Sequence, residues 1–195
     1  MEKVKSKPGL IKEYQSSAPD IQKYFEHLRR LIENFPIDVA LTYAFARVEW
    51  AHTRVLYCGI AKLHRAQADL TYRAVREHYM SRKEFRSKYK TVYGKPIPDS
   101  TCLLLTKAEA VRDRAIHGKN PSDDEIRNAI AHILRYAKAM NECTVSNGGP
   151  APFGDLRGFK GAAQALEKET TRWVLKGMGF FGTEHKGDTH RPESD

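Results

Sequence analysis

The stretch Pro121-Ser122-Asp123-Asp124-Glu125-Ile126-Arg127-Asn128-Ala129-Ile130-Ala131-His132-Ile133-Leu134-Arg135-Tyr136-Ala137-Lys138-Ala139-Met140 decides how the chain is built. Ser122 with Glu125 three residues later is the pattern in which a hydroxyl and a carboxylate satisfy N–H groups at a helix start. Asp123, Asp124 and Glu125 suit the positive end of the helix dipole. Ile126, Ile130, Ile133, Leu134, Ala137 and Met140 recur at spacings of three and four, which lines one face with apolar side chains. A helix therefore starts after Ser122, and its apolar stripe requires other elements to cover it.

Working upstream, Leu104, Ala108, Val111 and Ala115 form a second stripe that follows the breaker Gly94–Ser100 and ends near Gly118. Residues 66–93 are more polar, with Leu70, Val75, Tyr79, Phe85 and Tyr89 as anchors and Ser81 as a cap, and predict one or two shorter helices. A long central helix spans Asp38 to about Arg65. Before it, Ser17-Ala18-Pro19-Asp20 supplies a cap, a first-turn proline and a first-turn carboxylate for one helix that Pro36 stops. Downstream, Asn147-Gly148-Gly149-Pro150 marks a loop. Gly154–Gly161 reads as a flexible connector or an RNA-stacking loop, and Lys168–Lys176 as a last helix capped by Gly177. Trp173, Val174, Leu175, Met178, Phe180 and Phe181 are the residues expected to dock that helix on the bundle or on a dimer mate.

No strand alternation of useful length occurs, so the expected fold is all-α, an antiparallel helical bundle. The organisation predicted is a polar arm over 1–16, a bundle over 17–145, a glycine-rich loop with a C-terminal helix over 146–181, and a disordered tail over 182–195.

The 195 residues carry a net charge of +9, which favours polyanions such as RNA, although widely spread cations also suit a merely solvated surface. Cys58, Cys102 and Cys143 are scattered and give no disulfide framework, and no apolar run is long enough to span a bilayer. A cytoplasmic protein is expected. His52, His64 and His78 are not at metal-ligand spacing, and no Cys-x-x-Cys or His-Glu-x-x-His occurs, so neither metal nor cofactor is predicted.

Arginine five residues before histidine puts a permanent cation near a group that carries protons close to neutral pH, a combination suited to a phosphodiester. Four such pairs occur: Arg47/His52, Arg73/His78, Arg112/His117 and Arg127/His132. Chance alone gives about 0.7, so spacing discriminates little. Five residues along a regular helix leave side chains about 140° apart, and only His117 is followed at once by glycine, where a helix end could let the pair converge.

Arg112-Asp113-Arg114-Ala115-Ile116-His117-Gly118, followed by a turn and an acid-capped amphipathic helix, resembles the signature of the HEPN (higher eukaryotes and prokaryotes nucleotide-binding) superfamily. The resemblance spans roughly residues 20–145 and implies a HEPN-like bundle and a metal-independent endoribonuclease. In that chemistry an RNA 2′-hydroxyl attacks its neighbouring phosphate. It further implies catalytic roles for Arg112 and His117, with Asp113 orienting one of them, and RNA contacts for Arg114 and Lys119. A homodimer that pairs two motifs, and a toxin or phage-defence setting with an antitoxin or other regulatory protein, also follow from it. Members that only bind RNA, a nucleotide or a protein exist, and Lys119 stands where one toxin group carries tyrosine. The simpler reading pairs Arg112 with Asp113 or Glu109 and leaves His117 as a helix-terminal cation.

Overall fold

The structure, a computed structural model, describes residues 3–157 and 159–180. Among them the regular elements are all helices: α1 Lys7–Gln15, α2 Pro19–Tyr24, α3 Leu28–Asn34, α4 Ile37–Leu63, α5 Ala68–Glu77, α6 Arg82–Tyr93, α7 Asp99–Ile116, α8 Asp123–Ser146 and α9 Lys168–Gly177. None is long and apolar enough to cross a membrane.

The consecutive long helices alternate in direction around α4. Tyr57 meets Tyr72 while Trp50 and Arg76 wall one cleft, so α5 runs back along α4. Gly59 lies against Val92 and Tyr93, and Glu49 bonds Arg82, so α6 runs forward again. Arg114 bonds Glu125 across the α7–α8 turn, and Lys107 shares a groove with His132. This is the all-α bundle that the apolar periodicity predicts. Gly59 permits the close α4–α6 crossing, because a Cβ there would stand 2.5 Å from Val92 Cγ1 and 2.7 Å from the Tyr93 hydroxyl. The same hydroxyl donates to the Val55 carbonyl at 2.7 Å.

Two expectations for the N-terminal part are corrected. The polar arm of residues 1–16 contains α1: Ser6 accepts from Gly9 N–H at 3.2 Å, Pro8 sits in the first turn, and Leu10 and Tyr14 are buried. The single helix expected from Pro19 to Phe35 is broken at Phe25, where ψ is +38°. Adjacent residues on an α-helix point about 100° apart. The break lets both Tyr24 and Phe25 be buried, Tyr24 under the Arg47 guanidinium at 4.1 Å and Phe25 stacked on Phe153 at 5.9 Å.

The loop over 147–167 is more than a connector. Phe153 is fully buried, its N–H bonds Asn141 Oδ1 at 2.8 Å, and Leu166 N–H bonds the Arg65 carbonyl at 2.7 Å. The last helix docks through buried Leu175 and Phe180, and Lys88 donates to the Gly179 carbonyl at 2.7 Å with its ammonium 4.3 Å from the Phe180 ring. Trp173 stays 70% exposed and does not dock on the bundle. The tail expected over 182–195 and Phe181 lie outside the described residues.

Candidate functional site

The end of α7 is built from backbone hydrogen bonds. Gly118 N–H bonds the Ala115 carbonyl at 3.3 Å and Lys119 N–H bonds the Arg114 carbonyl at 2.9 Å, the two bonds of a Schellman cap. Gly118 takes the left-handed conformation this requires, with φ +71°, and nothing stands within 4 Å of where its Cβ would be. The chain then turns into α8 through Ser122, whose hydroxyl accepts from Glu125 N–H at 3.4 Å while the Glu125 carboxylate accepts from Ser122 N–H at 2.9 Å.

Arg114, expected along an RNA path, bridges this turn: its Nη2 donates to Glu125 Oε1 at 2.8 Å. The Ser122 N–H and the Arg114 guanidinium hold the Glu125 carboxyl down at about 2. Sequence spacing marked both ends of the turn without revealing that a side chain ties them together.

Arg112 and His117 sit at the same end of α7 but are not joined. Arg112 Nε and Nη2 both donate to Asp113 Oδ1, at 3.0 and 2.8 Å, and the guanidinium carbon lies 4.6 Å from the Phe45 ring centroid. Asp113 thus engages Arg112 and not the imidazole. His117 is exposed, and among the described residues its side chain has no hydrogen bond, ion pair or ring contact. The physical reason is local. His117 has φ −88° and ψ +22°, so the chain leaves the helix in the ψ of His117 and in Gly118, after the Cα–Cβ bond direction is set. The Cα–Cβ bond of His117 therefore keeps close to its helical bearing, roughly 140° around the axis from that of Arg112. Lys119 is exposed and also makes no ion pair among the described residues.

The other arginine–histidine pairs are dispersed. Arg127 is buried and bonds Asp124, while His132, five residues on, faces a groove beside Lys3, Lys107 and Asn128 with a cavity volume of about 700 Å³. Arg47 packs on Tyr24, whereas His52 points into the core.

His52 belongs to a network that sequence patterning did not reveal. Arg82 Nη1 donates to His52 Nδ1 at 2.9 Å, and the same guanidinium bonds Glu49 and Glu109, on α4 and α7. Arginine has no acceptor, so His52 Nδ1 must accept, which leaves the proton on Nε2 to donate to the Tyr136 hydroxyl at 2.7 Å. The imidazole stacks 3.7 Å from Phe85. Burial, then the Arg82 charge, push the His52 pKa well below the usual histidine value, and burial pushes Tyr136 up. Beside the network opens a cavity of about 320 Å³ whose walls include Glu49, Arg76, His78 and Phe85. His52 and Tyr136 are 84 residues apart, and each fits a core stripe of its own helix, so only the fold brings them together.

Among the described residues no group of three or more His, Cys, Asp or Glu side chains gathers as a metal site would require. Fold and site define an all-α bundle with one arginine–histidine network whose imidazole is buried and one open helix terminus. Set against known proteins, the chain matches no family model, no curated protein and no solved structure.

Proposed function

We propose that the chain is a metal-independent endoribonuclease whose site lies at the α7–α8 turn. The observation that carries this reading is the His117 imidazole, exposed and without a side-chain partner at a helix end that also holds the Arg112 guanidinium. Such an imidazole is free to exchange protons with a bound substrate. In the reaction, a 2′-hydroxyl gives up its proton and attacks the adjacent phosphorus. The 5′-oxygen leaves with a proton, giving a 2′,3′-cyclic phosphate and a 5′-hydroxyl end. Arg112 binds the phosphate oxygens as charge builds on them. Lys119 is the better placed of the two flanking cations to meet the RNA backbone, since Arg114 is engaged by Glu125.

One chain supplies one arginine and one histidine, whose Cα–Cβ bonds leave α7 on different sides. The reading therefore includes a homodimer in the cytoplasm, in which His117 of one copy and Arg112 of the other serve the same phosphate. The HEPN-like sequence at Arg112–His117 supports it, and a toxin or phage-defence role with a regulatory protein is part of the same proposal.

The test is incubation of the purified protein with RNA in EDTA, alongside Arg112→Ala and His117→Ala. Cleavage by the wild type alone, leaving cyclic phosphate ends, supports the reading. Equal cleavage by all three overturns it. RNA binding without cleavage supports a second reading, a non-catalytic RNA-binding module, which the Arg112–Asp113 pairing favours.

A further inference from the structure

The face of α4 and α5 opposite the core carries aromatic rings that the core leaves partly or largely uncovered. Trp50 is 56% exposed in the middle of the central helix, and Tyr72 on α5 is also exposed. Together with Arg76, Glu49 and Thr53 they wall a cleft of about 140 Å³. The rings continue beyond it: Tyr72 meets Tyr57 edge to face at 5.6 Å between centroids, and Tyr57 meets Phe159 of the 147–167 loop at 6.0 Å. Four aromatic residues from three segments thus form one row. Exposed indole and phenol groups at this density need an account beyond ordinary surface composition.

Charge narrows the choice of occupant. The Arg76 guanidinium carbon lies 5.9 Å from the Tyr72 ring centroid. Among the described residues neither Arg73, Arg76 nor Lys160 forms an ion pair, although all three are exposed. On the acidic side, Glu49 is already engaged by Arg82, which leaves Asp69 and Glu77 on α5. Flat rings interleaved with available guanidinium and ammonium groups suit a polymer that presents flat bases and phosphates together. The narrow cleft favours a single strand, because in a duplex the base faces are already stacked on one another.

We propose that this face binds single-stranded nucleic acid, with a base entering the cleft between Trp50 and Tyr72 and the adjoining phosphates meeting Arg76 and Arg73. The inference deepens the ribonuclease reading by placing part of the bound strand, and it rests on that reading for the choice of RNA over DNA. The stacking itself is independent of cleavage.

The experiment uses the full chain carrying Trp173→Phe, so that Trp50 is the one remaining tryptophan of the two. It is titrated with a short 2′-O-methyl oligouridine, which has no free 2′-hydroxyl to attack phosphorus, and with DNA of matching length. Strand anisotropy and Trp50 emission are read together. Binding with quenched Trp50 emission is expected. Trp50→Phe in the wild-type background retains most of the affinity, while Trp50→Ala and Tyr72→Ala each lose about ten-fold. Arg76→Gln weakens binding and flattens its dependence on salt. The melting temperature stays the same for Trp50→Ala and Arg76→Gln and falls slightly for Tyr72→Ala, which loses its edge-to-face contact with Tyr57, so binding is compared well below every midpoint. Tighter binding of the 2′-O-methyl strand than of DNA assigns the site to RNA, and equal binding assigns it to single strands in general.

The proposal is overturned if neither strand binds at low salt, if Trp50→Ala and Tyr72→Ala bind within two-fold of the parent, or if duplex binds as tightly with the same dependence on Trp50. Strand binding without RNA cleavage removes the ribonuclease reading and keeps this one. Cleavage with Trp50→Ala binding normally does the reverse.

Discussion

Two regions of this molecule set an arginine near a histidine, and they treat the imidazole in opposite ways. Where α4, α6, α7 and α8 meet, both nitrogens of His52 are occupied, one by Arg82 and one by Tyr136, and the ring lies flat on Phe85. At the α7 terminus, His117 is exposed and its side chain has no partner among the described residues. The first arrangement fixes one tautomer and locks four helices in register. The second leaves a proton carrier open to whatever binds there. Proton transfer to a substrate needs a group within hydrogen-bond reach of it, so availability, more than closeness of arginine to histidine, separates a structural pair from a candidate catalytic one.

The largest effect that could break this contrast is on RNA cleavage. His117→Ala is expected to lower the rate about 10²- to 10⁴-fold, the usual contribution of general acid–base catalysis, with the unfolding midpoint unchanged. His52→Ala should do the opposite, lowering stability first. Cleavage rates and urea melts on the same two preparations check both halves. If His52→Ala abolishes cleavage while leaving the midpoint unchanged, the two regions have been assigned the wrong way round.

Next in size is the removal of Arg82. Its side chain and that of Glu109 are both mostly shielded from water, so Arg82→Met leaves a carboxylate behind without its counter-charge. Breaking a buried pair in this way costs about 3 kcal/mol. Replacing both partners, Arg82→Met with Glu109→Gln, should recover part of that loss, and chemical denaturation of the single and double variants measures the coupling. Recovery sharpens the comparison, because no such coupling is expected between Arg112 and His117.

How much of this was legible beforehand follows from which signals are local. The Ser122/Glu125 box, the Gly118 stop, the breaker before α7 and the apolar stripes of α4, α7 and α8 each lie within a few residues of their effect, and the bundle could be read from them. The break at Phe25 depends on where Phe153 packs, some 130 residues downstream, and could not be read from the periodicity of residues 21–35. For α1 the decisive facts are tertiary: Leu10 and Tyr14 are buried by the rest of the bundle, which the polar composition of residues 1–16 does not indicate. At the site, the glycine after His117 correctly marked the helix end. It did not indicate that His117 and Arg112 share no bond, nor that Arg114 pairs with Glu125. The His52–Arg82–Glu109 network joins three helices and leaves no pattern in any one of them.

A smaller effect distinguishes the two regions by pH. His52 has its pKa lowered in the folded state, so the unfolded chain binds the proton more readily, and stability falls as pH drops below about 6.5 toward the folded value. His132, lowered chiefly by burial and then by Arg135, acts in the same direction. Glu125 at the open turn responds only at lower pH: its contribution is present above about 4.5 and is lost as pH falls toward about 2. Midpoints of thermal unfolding measured from pH 7.5 to 3 should therefore decline in two stages. His52→Gln should flatten the upper stage, and Glu125→Gln the lower one. A wild-type profile that stays level between pH 7 and 5 would contradict the sealed, neutral state of His52.

The smallest effect concerns the glycine that ends α7. Because the space around a Cβ at position 118 is empty, Gly118→Ala meets no neighbour, and its whole cost is the left-handed backbone, about 1 kcal/mol. Asparagine tolerates that conformation better, so Gly118→Asn should fall between alanine and the wild type in urea midpoint. The same series probes function, since the turn at Gly118 places Lys119 and the α8 cap relative to His117, whereas Glu109, the nearest member of the His52 network along α7, stands nine residues upstream of that glycine. If alanine and asparagine lower cleavage in the order in which they lower stability, the geometry of the turn is part of the site. If cleavage is indifferent to both, His117 acts from the helix alone and the cap serves only to end it.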